Sequence, residues 1–492
     1  MFVFLLINGQ EQGYTGPVFR TNSKIQFQGF FGIKDSTVYG VETEFGLRRL
    51  RSIYLSGYNR NSLEQIGQVD ITPPVDEDIE WFPTEIVSLE GGVFLLSEAK
   101  NRKTKERFLM AHKVDEKGNQ ADPICLDTLA ANNPPGTEFH IIGDTSDSFL
   151  TVMTLHPFES FQNQKITIKN FDAALNFNWS WDVELPNKDN NFSFLTLLSD
   201  APDRIYCLAE QKMNISNEFN IIKENNKFTV LSFDVTNRKV EELELRLENE
   251  WIQQIELLKS GNDLVVAGYF SNEPEEQIGG IFTVFLTPDL QIRDAVLEEI
   301  TIRDFHLTDY SNLSLTNVKL LKLHRFSNGN YVVVGERSYK EVNPRYDMRT
   351  DITSYTDLYY FQEVFVNILD ETGVPIRNIV IPKYQVTNND MGMYSSVFLA
   401  EYPDKIAVLY NDNDKNFNKH LTSPSDYRIM SNYRKNSGVM VVVSEEGEVE
   451  KKRIYKADLK MNFRPGTANQ FKNGSVFLMG ERVKQNRVIR LD

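Results

Sequence analysis

Cysteine is almost missing from this sequence: Cys125 and Cys207 are the two that occur. Two thiols cannot staple a chain of 492 residues, so stability has to come from a buried core, and both thiols are expected to be free. Basic charge is also short. Lys and Arg number 53 against 69 Asp and Glu, and the formal net charge of -16 argues against nucleic acid or an anionic membrane surface as the main partner. No apolar run is long enough to span a bilayer. Helical periodicity is scarce too: the best candidate, residues 237–249, alternates as Val240-Glu241-Glu242-Leu243-Glu244-Leu245 and reads as an edge strand. The six histidines, His112, His140, His156, His306, His324 and His420, show no metal spacing, and no Ser-His-Asp order, phosphate loop or Cys-His pair can be placed.

What the sequence has is repetition. Asn328-Gly329-Asn330-Tyr331-Val332-Val333-Val334-Gly335-Glu336-Arg337 recurs as Asn473-Gly474-Ser475-Val476-Phe477-Leu478-Met479-Gly480-Glu481-Arg482. Each copy is a turn, a short β-favouring run, then glycine and a charged exit. Looser copies start at Gly91 and Gly261. A second signal follows each, an apolar run ending in a small polar turn, at Asp115, Asp172, Asp234, Thr287, Asp370 and Ser444. An Asp, Ser or Thr there accepts from the backbone two residues on, which makes these hairpin turns with a mechanism.

Taking the first signal as the second strand (B) of a four-stranded unit and the polar turn as the C-to-D hairpin, B strands fall near positions 38, 93, 149, 204, 264, 331, 406 and 476. The expected fold is all-β, a β-propeller of eight four-stranded blades, with seven as the alternative. The last unit stops at Asp492 without a fourth strand, and the unassigned β-like material is N-terminal, from Val18 to Phe27. Pairing of the two ends would close the array. Residues 1–16 then read as a leader or the remnant of an export signal, its apolar run from Phe2 to Ile7 short and without a basic flank, with a buried edge strand as the alternative, and 17–492 as one propeller domain.

The phrase from Asn328 to Arg337, with the hairpin Val364-Phe365-Val366-Asn367-Ile368-Leu369-Asp370-Glu371-Thr372-Gly373, resembles the degenerate repeats of exported, periplasmic or surface β-propellers of Bacteroidota. The resemblance implies fold and an exported location more than activity. No blade carries the marks of WD repeats, of sialidases or of quinoprotein propellers.

Two B-to-C insertions in neighbouring units, residues 338–357 and 411–437, are expected side by side on one face, where function is usually grafted. The first holds Tyr339, Arg345, Tyr346, Arg349 and Tyr355; the second holds Tyr427, Arg428, Tyr433 and Arg434. Tyr and Arg dominate binding hot spots, which marks these residues as candidate partner contacts; solvated or mutually packed loops are the alternative. Asp412, Asp414 and Asn416 have the alternating oxygens of a calcium loop, but Phe417 stands where that loop needs glycine, so an Asx-rich turn competes with the metal reading. Glu98, Glu336 and Glu481, each at a B-strand exit, read as solvated strand ends or as a ring of cation ligands.

These readings favour a non-enzymatic protein-binding or scaffold propeller, an accessory subunit of a periplasmic or outer-membrane complex, without a cofactor. One alternative is a glycan-active hydrolase or lyase with carboxylates at the channel mouth. Another is a plug or gate of an outer-membrane, type IX-like secretion pore.

Overall fold

A computed structural model describes the chain except residues 1–5, 12, 23, 35, 46–49, 73–77, 115–121, 130–137, 144–147, 158–161, 187–191, 202, 214–215, 218–219, 222–224, 274–276, 306–313, 348, 350–351, 420–425, 431–434 and 483. His306, His420, Tyr433, Arg434 and the expected turn at Asp115 therefore lie outside the described residues. The rest is β-structure, with short 3-10 turns and no α-helix among the described residues. No helix there is long and apolar enough to cross a membrane.

Eight sheets dominate; seven are built on four antiparallel strands taken in chain order, and the eighth combines strands from both ends of the chain. Blades 1 to 7 occupy residues 25–70, 79–129, 138–185, 192–245, 251–299, 318–381 and 398–455, and blade 8 begins at 462. Each expected B position falls on the second strand of its blade. The turn chemistry is also as expected. Asp172, Asp234 and Asp370 accept from backbone N–H groups two to four residues on, at 2.8–3.0 Å. Gly329 and Gly474 take φ of +95° and +82° in the A-to-B turns, a region where a side chain would be strained.

A propeller follows from how the sheets stack. The apolar faces of blades 1 and 2 share one core, those of 2 and 3 the next, and so on through blades 7 and 8. An eighth core joins Phe477, Met479 and Val488 of blade 8 to Phe27, Phe30, Val38 and Tyr58 of blade 1. First strands of several successive blades touch one another, which sets strand A innermost. Each sheet is open, and none curls into a barrel.

Blade 8 borrows its fourth strand from the N-terminus, but not from all the residues expected. Tyr14–Thr15 and Phe19–Arg20 pair with Gln485–Leu491, whereas Ile25–Lys34 is strand A of blade 1. A register shift between Phe27 and Gly29 turns both Phe27 and Phe30 into the core, which explains the reassignment, since those rings fill the contact with blade 8. Leu6–Glu11, within the stretch read as a leader, adds to Val449–Tyr455 of blade 7 in parallel. Cys125 is exposed, Cys207 is buried, and both are free thiols.

Candidate functional site

Strands alternate in direction, so the B-to-C and D-to-A connections leave the disc on one face. On that face blade 6 departs from its siblings. Its strand B, Tyr331–Asp347, and strand C, Ile352–Leu369, stay paired from Tyr331↔Leu369 to Asp347↔Ile352, well past the end of strands A and D. The first insertion is thus a β-ribbon and not the expected loop. Its base is tied by Tyr339 stacked on Tyr360 at 4.6 Å and 9°, by the Arg337 guanidinium over the Tyr339 ring, and by Lys340 on Asp357 at 2.8 Å. Tyr355 is 67% exposed and Val342 is 53% exposed. Arg349 is exposed beside the turn; Arg345 and Tyr346 pair through their backbones with Ser354 and Thr353, and their side chains lie outside the described residues.

The connector from blade 6 to blade 7 joins the two insertions. Gln385–Asn388 adds to the ribbon opposite Leu358–Phe361, and the Gln385 amide donates to the Asn411 carbonyl at 2.8 Å. The second insertion is anchored in turn: the Asn411 side chain donates to the carbonyls of Tyr394 and Phe463 and accepts from the Tyr455 hydroxyl. Tyr427, expected at the surface, is 6% exposed and shares a core with Phe365 and Val380, because the insertion folds back over blade 6. The backbone of Arg428 is clasped by the Asn416 amide at 2.9 Å on both sides, with its side chain outward.

Asp412, Asp414 and Asn416 are tied into the protein. Asn416 donates to Asp412 Oδ1 at 2.8 Å, and Asp414 faces Arg453 at 3.3 Å. Burial raises the Asp412 carboxyl to about 6, against the pull of Lys451, Asn416 and Lys383. Among the described residues no three His, Cys, Asp or Glu side chains converge as a metal site.

The strand-exit glutamates form no shared ring, and of the three Glu336 is closed off from solvent while Glu98 and Glu481 are half-buried. Each has its own partner: Glu98 with Arg107, Glu481 with Arg464, and Glu336 with Lys383 at 2.6 Å. Lys383 is wholly buried. It also donates to Gln385 Oε1 at 2.9 Å, while Ser396 donates to Glu336 Oε2 at 2.6 Å. Burial lowers the Lys383 pKa, with Glu336 opposing. This hub, under the ribbon base, was invisible in the sequence because its members are scattered over some sixty positions, from Glu336 to Ser396, without a motif.

A second cluster lies on the innermost strands. His140 and His324 sit on strands A of blades 3 and 6, as expected. His140 packs edge-on against Phe194 at 5.2 Å. His324 Nδ1 lies 3.1 Å from Glu401 Oε2 and Lys322 Nζ lies 3.0 Å from Glu401 Oε1. Glu256, from blade 5, accepts from the Leu323 amide at 2.5 Å. Burial lifts Glu256 to about 7. Burial also acts on Glu401, but His324 and Lys322 outweigh it and hold that carboxyl below its usual range.

No protein-family model matches the chain, and no curated protein does. Among solved structures it is similar to the polysaccharide lyase Uly1, at 8% identity over 97% of this chain and 99% of that one, with a TM-score of 0.40. It is likewise similar to the WD40 domain of SCAP from fission yeast, at 12% identity over 97% of both chains and a TM-score of 0.38. The β-propeller domain of the trilobed protease from Pyrococcus furiosus matches at 9% identity over 88% of this chain and 99% of that one, with a TM-score of 0.37. Likenesses at this level carry no argument about function.

Proposed function

We propose that this chain is a non-enzymatic binding protein, an eight-bladed ring closed by its N-terminal strand, that docks another protein on the face carrying the blade 6 ribbon. Residence in the periplasm or outside the cell, as an accessory subunit of an outer-membrane complex, belongs to the same reading. The ribbon carries it: a β-structure held by a stacked tyrosine pair and a buried ion pair projects from a rigid disc and exposes Tyr355 and Val342. Elsewhere in the two insertions and the connector between them, Met391 is 79%, Ile429 44% and Met393 38% exposed, apolar area that a partner would cover. Removing residues 338–357 and closing the strands with a two-residue turn should abolish stoichiometric co-purification of the partner while leaving the melting temperature within a few degrees. A partner retained by the shortened protein would move the docking face elsewhere.

A second reading has an observation of its own. Glu256 and Glu401 flank strand A of blade 6 from blades 5 and 7, with proton affinities pushed apart, the pattern of an acid and a base. A glycan-active enzyme would use them so. Polysaccharide cleavage abolished by both Glu256→Gln and Glu401→Gln would support it, and no cleavage across neutral and acidic polysaccharides would end it.

A further inference from the structure

The two long edges of the ribbon differ. Asp357 donates its N–H to the Asn389 side chain at 3.0 Å and accepts from the Asn389 N–H at 3.0 Å, so its backbone groups point away from strand B, toward the connector. Antiparallel strands alternate, so the N–H and C=O of Tyr355 and Thr353 point to that same side. The connector ladder ends at Asn389, where φ is +54° and the chain turns off through Asp390 and Gly392. No strand among the described residues pairs with Thr353 or Tyr355 on that edge.

The other edge is blocked. Pro344 lies opposite Tyr355, in the register whose N–H would face outward from strand B, and it has none to offer. A proline there costs the ribbon no ladder bond and denies that edge to an incoming strand. Outer edges of other blades are defended by charge instead, as in Lys239–Leu245, with three glutamates, and Ile292–Glu299, with Arg293, Asp294, Glu298 and Glu299. Ile352-Thr353-Ser354-Tyr355-Thr356 has no charge, no proline and three β-branched residues.

We propose that the docked partner contributes an extended segment that adds as a β-strand to the Ile352–Thr356 edge, continuing the ladder the connector begins. This rests on the docking reading above and specifies its chemistry. Main-chain bonds to Thr353 and Tyr355 supply affinity, and alternate side chains of the segment lie along the ribbon. The segment is basic, because the chain carries a net charge of -16 and the Asp390 carboxylate stands where the connector ladder turns off, while Asp357 is already held by Lys340. A second copy of this chain, bearing the same charge, is disfavoured.

The probe is a fluorescein-labelled octapeptide of four Lys-Val repeats, read by anisotropy, beside its Glu-Val counterpart and a Lys-Val peptide N-methylated at alternate residues. Wild type should bind the Lys-Val peptide at least tenfold more tightly than either control. Tyr355→Pro removes one outward N–H without breaking the ribbon and should lose binding at least tenfold. Tyr355→Ala keeps that N–H and should lose less than Tyr355→Pro, while Phe177→Ala, on the outer strand of blade 3, should stay within threefold. Equal binding of the N-methylated peptide, unchanged binding by Tyr355→Pro, or a dimer of the chain that Tyr355→Pro dissolves would each overturn the proposal. Loss of the native partner on ribbon deletion, with Tyr355→Pro retaining it, would leave docking intact and reject strand addition alone.

Discussion

Lys383 Nζ lies 2.6 Å from Glu336 Oε1, and both side chains are closed off from solvent beneath the ribbon. A buried charge left without its partner is expensive, so Lys383→Ala should destabilise the protein by about 3–5 kcal/mol in urea unfolding. Lys383→Met combined with Glu336→Gln should cost much less, since neither residue then strands a charge. Equal losses in the single and double variants would show that the pair does not act as a unit.

Stability should depend on pH through Glu256. Its carboxyl keeps a proton up to about pH 7 in the folded chain and, once unfolded, only to its ordinary value of 4.5. The contribution is therefore complete below pH 4.5 and lost as pH rises through 7, on the order of 3 kcal/mol at most. Asp412, raised to about 6, acts in the same direction in a lower window. In Glu256→Gln the fall in melting temperature between pH 4.5 and 7 should flatten; an unchanged profile would mean the carboxyl titrates normally.

The N-terminal strands should be structural. Gly16 N–H donates to the Val488 carbonyl at 2.9 Å, and Tyr14 and Phe19 pair along Gln485–Leu491. Deleting residues 1–21 exposes that edge, so the melting temperature should drop by several degrees and aggregation should rise. Asn469→Ala, which removes a 2.8 Å bond to the Phe30 carbonyl, should give a smaller loss in the same direction, of about 1 kcal/mol. A truncated chain as stable as the whole would show that the two ends do not hold the molecule together.

Much of the disc was legible because its signals are local. An Asn-Gly before four apolar residues, or an Asp that accepts from residues two and four positions on, acts within one turn, as at Asp370. The missing fourth strand of blade 8 was legible by subtraction only in part, since Phe19–Arg20 lies in the expected stretch while Ile25 to Phe27 belongs to blade 1. What depends on residues far apart was not. Pro344 and its polar neighbours made the ribbon look like a loop, since an edge proline is readable only once its partner Tyr355 is known. Tyr427 looked like a surface hot spot until its loop folded back on Phe365. Glu336 and Lys383, 47 positions apart, meet only in the folded blade.

The most direct test is photo-crosslinking in native cells, with a photoreactive amino acid replacing Tyr355 on the ribbon and, separately, Phe177, which is 59% exposed on the outer strand of blade 3. The ribbon position should give one discrete adduct of constant mass and the blade 3 position none. The same adduct from both positions, or none from Tyr355 while the protein is bound in its complex, would contradict a docking face on blade 6.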